Sequence, residues 1–205
     1  MIDVEQLSVR VPGFTLDRAT FTVTQGAVAV VTGPTGAGKT TLLETIAGVR
    51  AASGGRIHLD GRDVTRVPPE QRNVGLVYQQ AWLFPHLSVA GNVSYGARDD
   101  SVVTTLIQLL RITPLLEKPV ASLSGGERQL VAIARALARV PRTLLLDEPF
   151  AAMDSVLRGE IRQAVLEWAA GSNVTTMLVT HDTAEAALSG ARQLRVSNGI
   201  VSQAG

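Results

Sequence analysis

At 205 residues, 45% of them apolar, the chain is long enough for one substantial core with a smaller insertion, and its composition does not indicate disorder. A formal net charge of +1 gives no reason to expect a nucleic-acid partner. With no cysteine and three scattered histidines (His58, His86, His181), disulfides, thiol catalysis and Cys-based metal sites are excluded and a zinc site is not suggested.

The N-terminal stretch Met1-Ile2-Asp3-Val4-Glu5 carries acids and no long apolar core, so it does not read as a signal peptide. No apolar run approaches the length of a bilayer span, so any membrane role has to come through a partner. Residues 2–9 and 19–24 alternate loosely and predict strands, with turns at Gly13 and Gly26. Val28-Ala29-Val30-Val31 is a short β-branched run that predicts a buried parallel strand. Helical spacing follows over 41–47 and ends at Gly48. Ser53-Gly54-Gly55 predicts a turn, residues 56–61 a strand and turn with His58 at an edge, and the prolines of 67–72 a loop or short helical turn. Residues 74–78 predict another buried strand, ending at Gln79-Gln80.

Residues 81–89 hold the densest aromatic patch in a chain with 4% aromatics, on a predicted loop, which makes it either a local mini-core or a docking surface. Residues 92–119 read as a small helical region with its clearest helix over 102–110. From Ser124 a long helix carries the stripe Leu130, Val131, Ile133, Ala134, Leu137, Ala138 and stops by Pro141. Residues 143–147 have no polar alternation and predict a central strand buried on both faces. Ser155 is the expected cap of a helix to about Ala170. Residues 176–180 predict another buried strand, and a hairpin around Asn198-Gly199 follows.

Gly33-Pro34-Thr35-Gly36-Ala37-Gly38-Lys39-Thr40 fits G-x-x-x-x-G-K-[ST] between a predicted strand and a predicted helix. Glycines let the backbone wrap a phosphate, and the helix N-terminus presents positive partial charge to it. Lys39 is then expected on the β- and γ-phosphates of ATP and the Thr40 hydroxyl on Mg²⁺, with Thr41 beside them. The plainer alternative, a glycine-rich turn with a chance lysine, leaves the flanking strand and helix unexplained. Gln79, Asp147 with Glu148, and His181 also follow predicted strands, and ligands of open α/β sheets bind at the carboxyl ends of strands. Asp147 suits the Mg²⁺ shell, as does Gln79. Glu148, projecting in another direction, suits a general base for the attacking water, and His181 suits a γ-phosphate or water contact. Taken singly, a strand-terminal acid, histidine or glutamine is more often structural. Ser124-Gly125-Gly126 makes a second anion cradle at a helix N-terminus. A head-to-tail dimer would use both cradles, holding each nucleotide between the loop of one chain and the Ser-Gly-Gly turn of the other.

In this order the motifs resemble the nucleotide-binding subunit of ATP-binding cassette (ABC) transporters. Gly33 to Thr40 matches Walker A, Gln79 the Q-loop, and Leu123-Ser124-Gly125-Gly126-Glu127-Arg128-Gln129 the signature. Leu144-Leu145-Leu146-Asp147 with Glu148 matches Walker B, Ala152-Met153-Asp154 the D-loop, and His181 the switch histidine. The resemblance implies an α/β P-loop NTPase fold with a mostly parallel central sheet, an N-terminal antiparallel β subdomain and a small inserted helical subdomain. It implies one ABC ATPase domain over 1–205, with 1–80 and 141–205 as nucleotide-binding core and about 81–140 as the helical signature subdomain; many importer ATPases of this kind also carry a C-terminal regulatory domain, and in departure from them none is expected here. The resemblance further implies that ATP closes the dimer, that hydrolysis opens it, and that the motion passes to membrane subunits.

By the same resemblance, Trp82, Leu83, Phe84 and His86 are candidate docking residues for integral membrane permease subunits. A peripheral place on the cytoplasmic face of the membrane follows, with an extracytoplasmic solute-binding protein as an indirect partner. Residues 69–72, 83–89 and 33–39 look most like importers of molybdate, tungstate or sulfate. The usual adenine-stacking aromatic is missing; that position falls near Arg10, with Phe14 as the alternative. A soluble ABC ATPase acting on DNA or ribosomes is the competing class and predicts basic patches or long insertions. A stand-alone P-loop kinase would not need Ser124-Gly125-Gly126. An exporter is a variant of the transporter reading.

Overall fold

The computed structural model describes residues 1–188 and 190–203; Ser189, Ala204 and Gly205 of the predicted 1–205 span lie outside the described residues. Ten strands and six α-helices are found among the described residues. The strands β1 (Ile2–Val11), β2 (Phe14–Val23), β4 (Gly54–Leu59) and β5 (Arg62–Asp63) form an antiparallel sheet in the order β2-β1-β4-β5. The remaining strands are β3 (Val28–Thr32), β6 (Val74–Val77), β7 (Thr143–Asp147), β8 (Thr175–Val179), β9 (Arg192–Ser197) and β10 (Ile200–Gln203). They make a six-stranded sheet in the order β10-β9-β3-β8-β7-β6. All its pairings are parallel except the β9–β10 hairpin, where Asn198 and Gly199 both take positive φ, as a two-residue primed turn requires. β7 and β8 are buried at every position, so their uninterrupted apolar runs reflect cover on both faces.

The helices are α1 (Lys39–Ala47), α2 (Val89–Ser94), α3 (Asp100–Leu109), α4 (Gly125–Ala138), α5 (Ser155–Gly171) and the short α6 (Thr183–Ala186). Two apolar clusters organise them. One joins the antiparallel sheet to β3 and α1 through Ile2, Leu7, Leu16, Val31, Leu42 and Ile57. The other joins α2, α3, α4 and α5 through Val93, Leu106, Ile133 and Val165 to Leu146 and Leu178 of the parallel sheet. The expected fold class is therefore the observed one: a parallel sheet, an antiparallel sheet at the N-terminal side, and helices inserted between β6 and β7.

Three local expectations need correction. Gly54 and Gly55 open β4 instead of forming only a turn, because Gly55 at φ +83° packs on the Gln6 carbonyl oxygen, where a Cβ would stand 2.3 Å away. His58 is not at an edge: it pairs with Asp3 on one side and Asp63 of the two-residue β5 on the other. The cap of α5 is Asp154, whose Oδ1 accepts from the Leu157 N–H at 3.0 Å, one residue earlier than expected.

Arg72, at the end of the 3-10 turn Pro69–Gln71, fixes the far end of α1. Its Nη1 donates to the carbonyls of Thr45 (3.0 Å) and Ile46 (2.9 Å), its Nε to Val67 (2.7 Å) and its Nη2 to Thr65 (3.2 Å). The Ile46 carbonyl is one that a helix end leaves without an intrahelical partner, and the Thr45 carbonyl also accepts from the cap N–H of Gly48, at 3.1 Å. Arg72 is 6% exposed. Replacing it with methionine strands buried carbonyls, and an unfolding free energy lower by about 2–3 kcal/mol is expected in urea titration.

Candidate functional site

Four adjacent parallel strands deliver the predicted residues to one place. β3 ends at Thr32 and runs into Gly33; β6 leads to Gln79; β7 ends in Asp147 and Glu148; β8 leads through Thr180 to His181. A cleft of about 310 Å³ opens there, lined by Thr35, Gly36, Gly38, Lys39, Thr40, Thr41, Gln79, Glu148 and His181, with Val11 and Phe14 at its side.

The loop Gly33 to Gly38 is shaped by backbone that only glycine accepts easily. At Gly33, φ +148° brings the Val196 carbonyl to 2.0 Å from any Cβ. At Gly38, the N-cap of α1 in left-handed conformation, a Cβ would enter the Phe14 ring at 2.3 Å. Lys39 is buried at 6% exposure, and its Nζ donates to the carbonyls of Gly33 (2.8 Å) and Pro34 (2.9 Å). Burial pulls its pKa below the ordinary lysine value, while Glu148 and Asp147 act in the opposite sense.

Thr40 Oγ1 donates to Asp147 Oδ2 at 2.5 Å, joining α1 to the end of β7. Asp147 is 5% exposed, and burial pushes its carboxyl above the usual aspartate range, with the Thr40 bond opposing and Glu148 adding to the rise. Glu148 leaves the strand in left-handed conformation (φ 47°), its N–H held by the Val179 carbonyl at 3.0 Å. That turn points its carboxylate away from the Thr40–Asp147 pair. One oxygen, Oε2, accepts from Gln79 Nε2 at 3.1 Å and the other, Oε1, lies 2.7 Å from His181 Nε2. Lys39, Thr40, Gln79, Asp147, Glu148 and His181 are thus brought into one polar array.

Ser124, Gly125 and Gly126 are not part of that array and do not line the cleft. Ser124 caps α4: its Oγ accepts from the Glu127 N–H at 3.2 Å, and Glu127 Oε2 accepts from the Ser124 N–H at 2.7 Å. The spacing Ser-x-x-Glu announces this capping box. The N–H groups of Gly125 and Gly126, first in the helix, have no intrahelical acceptor. Arg10 is exposed and does not line the cleft, whereas Phe14 and Val11 do.

The aromatic loop is partly packed as a local mini-core and partly exposed. Trp82 is 63% and Tyr95 51% exposed, yet Phe84 packs on Tyr95 (centroids 4.5 Å apart) and under the Arg135 guanidinium (4.7 Å). Fully buried Asn92 holds the loop, accepting from the Phe84 N–H at 2.9 Å and donating to the carbonyls of Phe84 and Ser88. Arg135 adds bonds to Asn92 Oδ1 and the Trp82 carbonyl. Asn92 and Arg135 were not singled out by sequence reasoning, since neither forms a motif with the loop along the chain.

The sequence profile of the family described as ABC transporter matches residues 16–151. The probable sulfate/thiosulfate import ATP-binding protein CysA of Chlorella vulgaris is 38% identical over 98% of this chain and 89% of its own length. The molybdate/tungstate import ATP-binding protein WtpC of Thermococcus kodakarensis is 41% identical over 98% of this chain and 64% of its length. The CysA protein of Mycobacterium tuberculosis is 44% identical over 83% of this chain, which spans about half (51%) of that relative. Among solved structures, a dimeric bacterial ABC transporter cassette superposes with a TM-score of 0.88 at 26% identity, covering 98% of this chain and 96% of that one.

Proposed function

The chain belongs to the ABC transporter family, and from that premise we propose that it is the ATP-hydrolysing subunit of an importer, working as a head-to-tail homodimer on membrane permease subunits. The observation that carries the reading is the array itself: a phosphate loop and an acid contacted by Gln79 and His181 line one cleft, and a second acid is bonded to Thr40 at its wall. A phosphoryl transfer to water needs charge neutralisation, an aligned water and a base, and each has a candidate here.

In this reading Gly33, Pro34, Thr35, Gly36, Ala37 and Gly38 wrap the phosphates of ATP. Lys39 exchanges the Gly33 and Pro34 carbonyls for phosphate oxygens, and Thr41 lies beside it in the same helical turn. The Thr40 hydroxyl, the Asp147 carboxylate and the Gln79 amide oxygen are hard oxygen donors that fit Mg²⁺. When bound, that ion neutralises phosphate charge. Glu148 accepts a proton from the attacking water, and His181 orients that water and the carboxylate. Phe14 and Val11 flank the base in place of a stacking aromatic at Arg10. We divide the unit into a core of 1–80 and 141–205 and a helical part near 81–140.

The transport assignment rests on relatives named for import of sulfate/thiosulfate, molybdate/tungstate and Fe³⁺. Sulfate, molybdate or tungstate is the solute class we assign, with an extracytoplasmic binding protein as the indirect partner. No helix among the described residues is long and apolar enough to cross a membrane. By analogy with the import ATP-binding relatives, we place the chain peripherally on the cytoplasmic face, docked through Trp82, Leu83, Phe84 and His86. The competing class, an ABC ATPase acting on DNA or ribosomes, is not supported by the relatives or by the near-neutral charge.

The shared site is tested by Ser124→Arg, which places a long cation at the second cradle. Nucleotide binding to the isolated chain should stay within about twofold, because Ser124 lies outside the cleft. ATP-driven dimerisation and hydrolysis should both be lost, followed by light scattering and phosphate release. Undiminished hydrolysis would remove the Ser124 turn from the active unit.

A further inference from the structure

A second line of contacts leads from the Ser124 turn to Glu148 without passing through the phosphate loop, and Arg158 stands in its middle. Gly126, in the first turn of α4, lies so near the segment ahead of α5 that a Cβ there would be 3.1 Å from the Ala152 carbonyl oxygen. The next carbonyl, that of Met153, accepts from Arg158 Nη2 at 2.8 Å. Arg158 Nη1 donates to Asp182 Oδ2 at 2.9 Å. Asp182 directly follows His181, and His181 meets Glu148 at 2.7 Å.

Asp182 is itself well located. Its N–H donates to Thr180 Oγ1 at 2.9 Å, and its Oδ1 accepts from the Glu185 N–H at 3.3 Å. Among the described residues, a cavity of about 250 Å³ lies between Glu148, Arg158, Thr180, His181, Asp182 and Glu185. Beside that cavity, polar bonds hold the direction of the His181–Asp182 segment. The guanidinium is a rigid planar fork, so bonding the Met153 carbonyl through one nitrogen and the Asp182 carboxylate through another sets the two at a defined separation. A point-like ammonium would not impose the same geometry.

We propose that Arg158 is a positioning residue, whose fork ties the Ala152–Met153 segment behind the Ser124 turn to Asp182 and so sets the placement of His181 against Glu148. The proposal rests on the shared-site dimer reading. In that dimer the Ser124 turn faces the partner's nucleotide, so its displacement on closure is transmitted through Arg158 to the base of its own chain. The two nucleotide sites become coupled, and Arg158 acts on the reaction only through His181 and Glu148.

The test compares the full parent chain with Arg158→Met, which keeps the apolar stem, and Arg158→Lys, which keeps the charge toward Asp182. Steady-state hydrolysis against ATP concentration is measured together with the thermal midpoint. Arg158→Met is expected to lower kcat about tenfold or more, as small misplacements of reacting groups do, while KM stays within about twofold. The Hill coefficient should fall toward unity, with the thermal midpoint little changed, and Arg158→Lys should recover part of kcat. Parent-like kcat and cooperativity in Arg158→Met would overturn the proposal. A kcat loss that Arg158→Lys leaves unrescued and that tracks a fall in the thermal midpoint would also overturn it, marking Arg158 as merely structural. Absence of hydrolysis in the parent chain is a separate result, which would overturn the dimer reading and this proposal with it.

Discussion

Glu148→Gln is expected to abolish turnover while leaving ATP binding intact, with hydrolysis down by about 10²–10⁴-fold, the range a positioned general base supplies. The substitution is nearly isosteric. The introduced amide would still fill the place between Gln79 and His181, and the left-handed turn at this position depends on the backbone bond to Val179 rather than on the carboxylate. What disappears is the basic oxygen that we propose takes the proton from water. Because Lys39, Thr40 and Asp147 are untouched, ATP still binds and the closed dimer accumulates instead of reopening. Size-exclusion chromatography with ATP and Mg²⁺ should show a stable dimer in this variant and a transient one in the parent. Parent-level phosphate release would move the base to another residue, with His181 the next group in the array.

Lys39→Ala has the other large expected effect, and it acts one step earlier. Lys39 is nearly buried and its ammonium is already directed along the loop by the Gly33 and Pro34 carbonyls. It is the one loop side chain that brings a full positive charge to phosphates inside a cleft of low dielectric, where such charge counts for much more than in water. Removing it should weaken ATP binding and cut turnover by roughly a hundredfold or more, comparable to losing a preorganised donor at a charged transition state. The signature is opposite to that of Glu148→Gln: binding and catalysis fall together, and no ATP-dependent dimer accumulates. Equilibrium binding of a fluorescent ATP analogue separates the two variants. Normal affinity and hydrolysis in Lys39→Ala would contradict the phosphate-loop assignment.

The contrast between these variants shows which parts of the site could be read along the chain. The Gly33–Thr40 loop was legible because its chemistry is local: a fixed spacing, a strand before it and a helix after it. The placement of Gln79, Asp147, Glu148 and His181 at strand ends was legible for the same reason, since unbroken apolar runs mark buried strands and the following polar residues must emerge at their ends. That Glu148 takes positive φ, and so faces Gln79 and His181 while Asp147 faces Thr40, has no sequence signal, because glutamate has no preference for that conformation. Arg72, Asn92, Arg135 and Arg158 were missed because each acts through bonds to carbonyls or side chains that only the tertiary fold brings near. The errors at Gly54-Gly55 and His58 have a related cause. A glycine pair signals a turn locally, yet here it allows a close approach of β4 to β1, and a two-residue β5 is too short for periodicity to reveal that His58 has a neighbour on each side.

The central claim is that this chain powers transport through a membrane partner. The most direct test is to recover tagged Glu148→Gln from detergent-solubilised membranes of the source organism in the presence of ATP and Mg²⁺, and to identify what comes with it. The account predicts an integral membrane protein with an apolar-spanning sequence, whose identity would narrow the solute among sulfate, molybdate and tungstate. Recovery of ribosomes or DNA-associated proteins in its place would contradict the transport reading and reduce the Trp82–His86 loop to local packing.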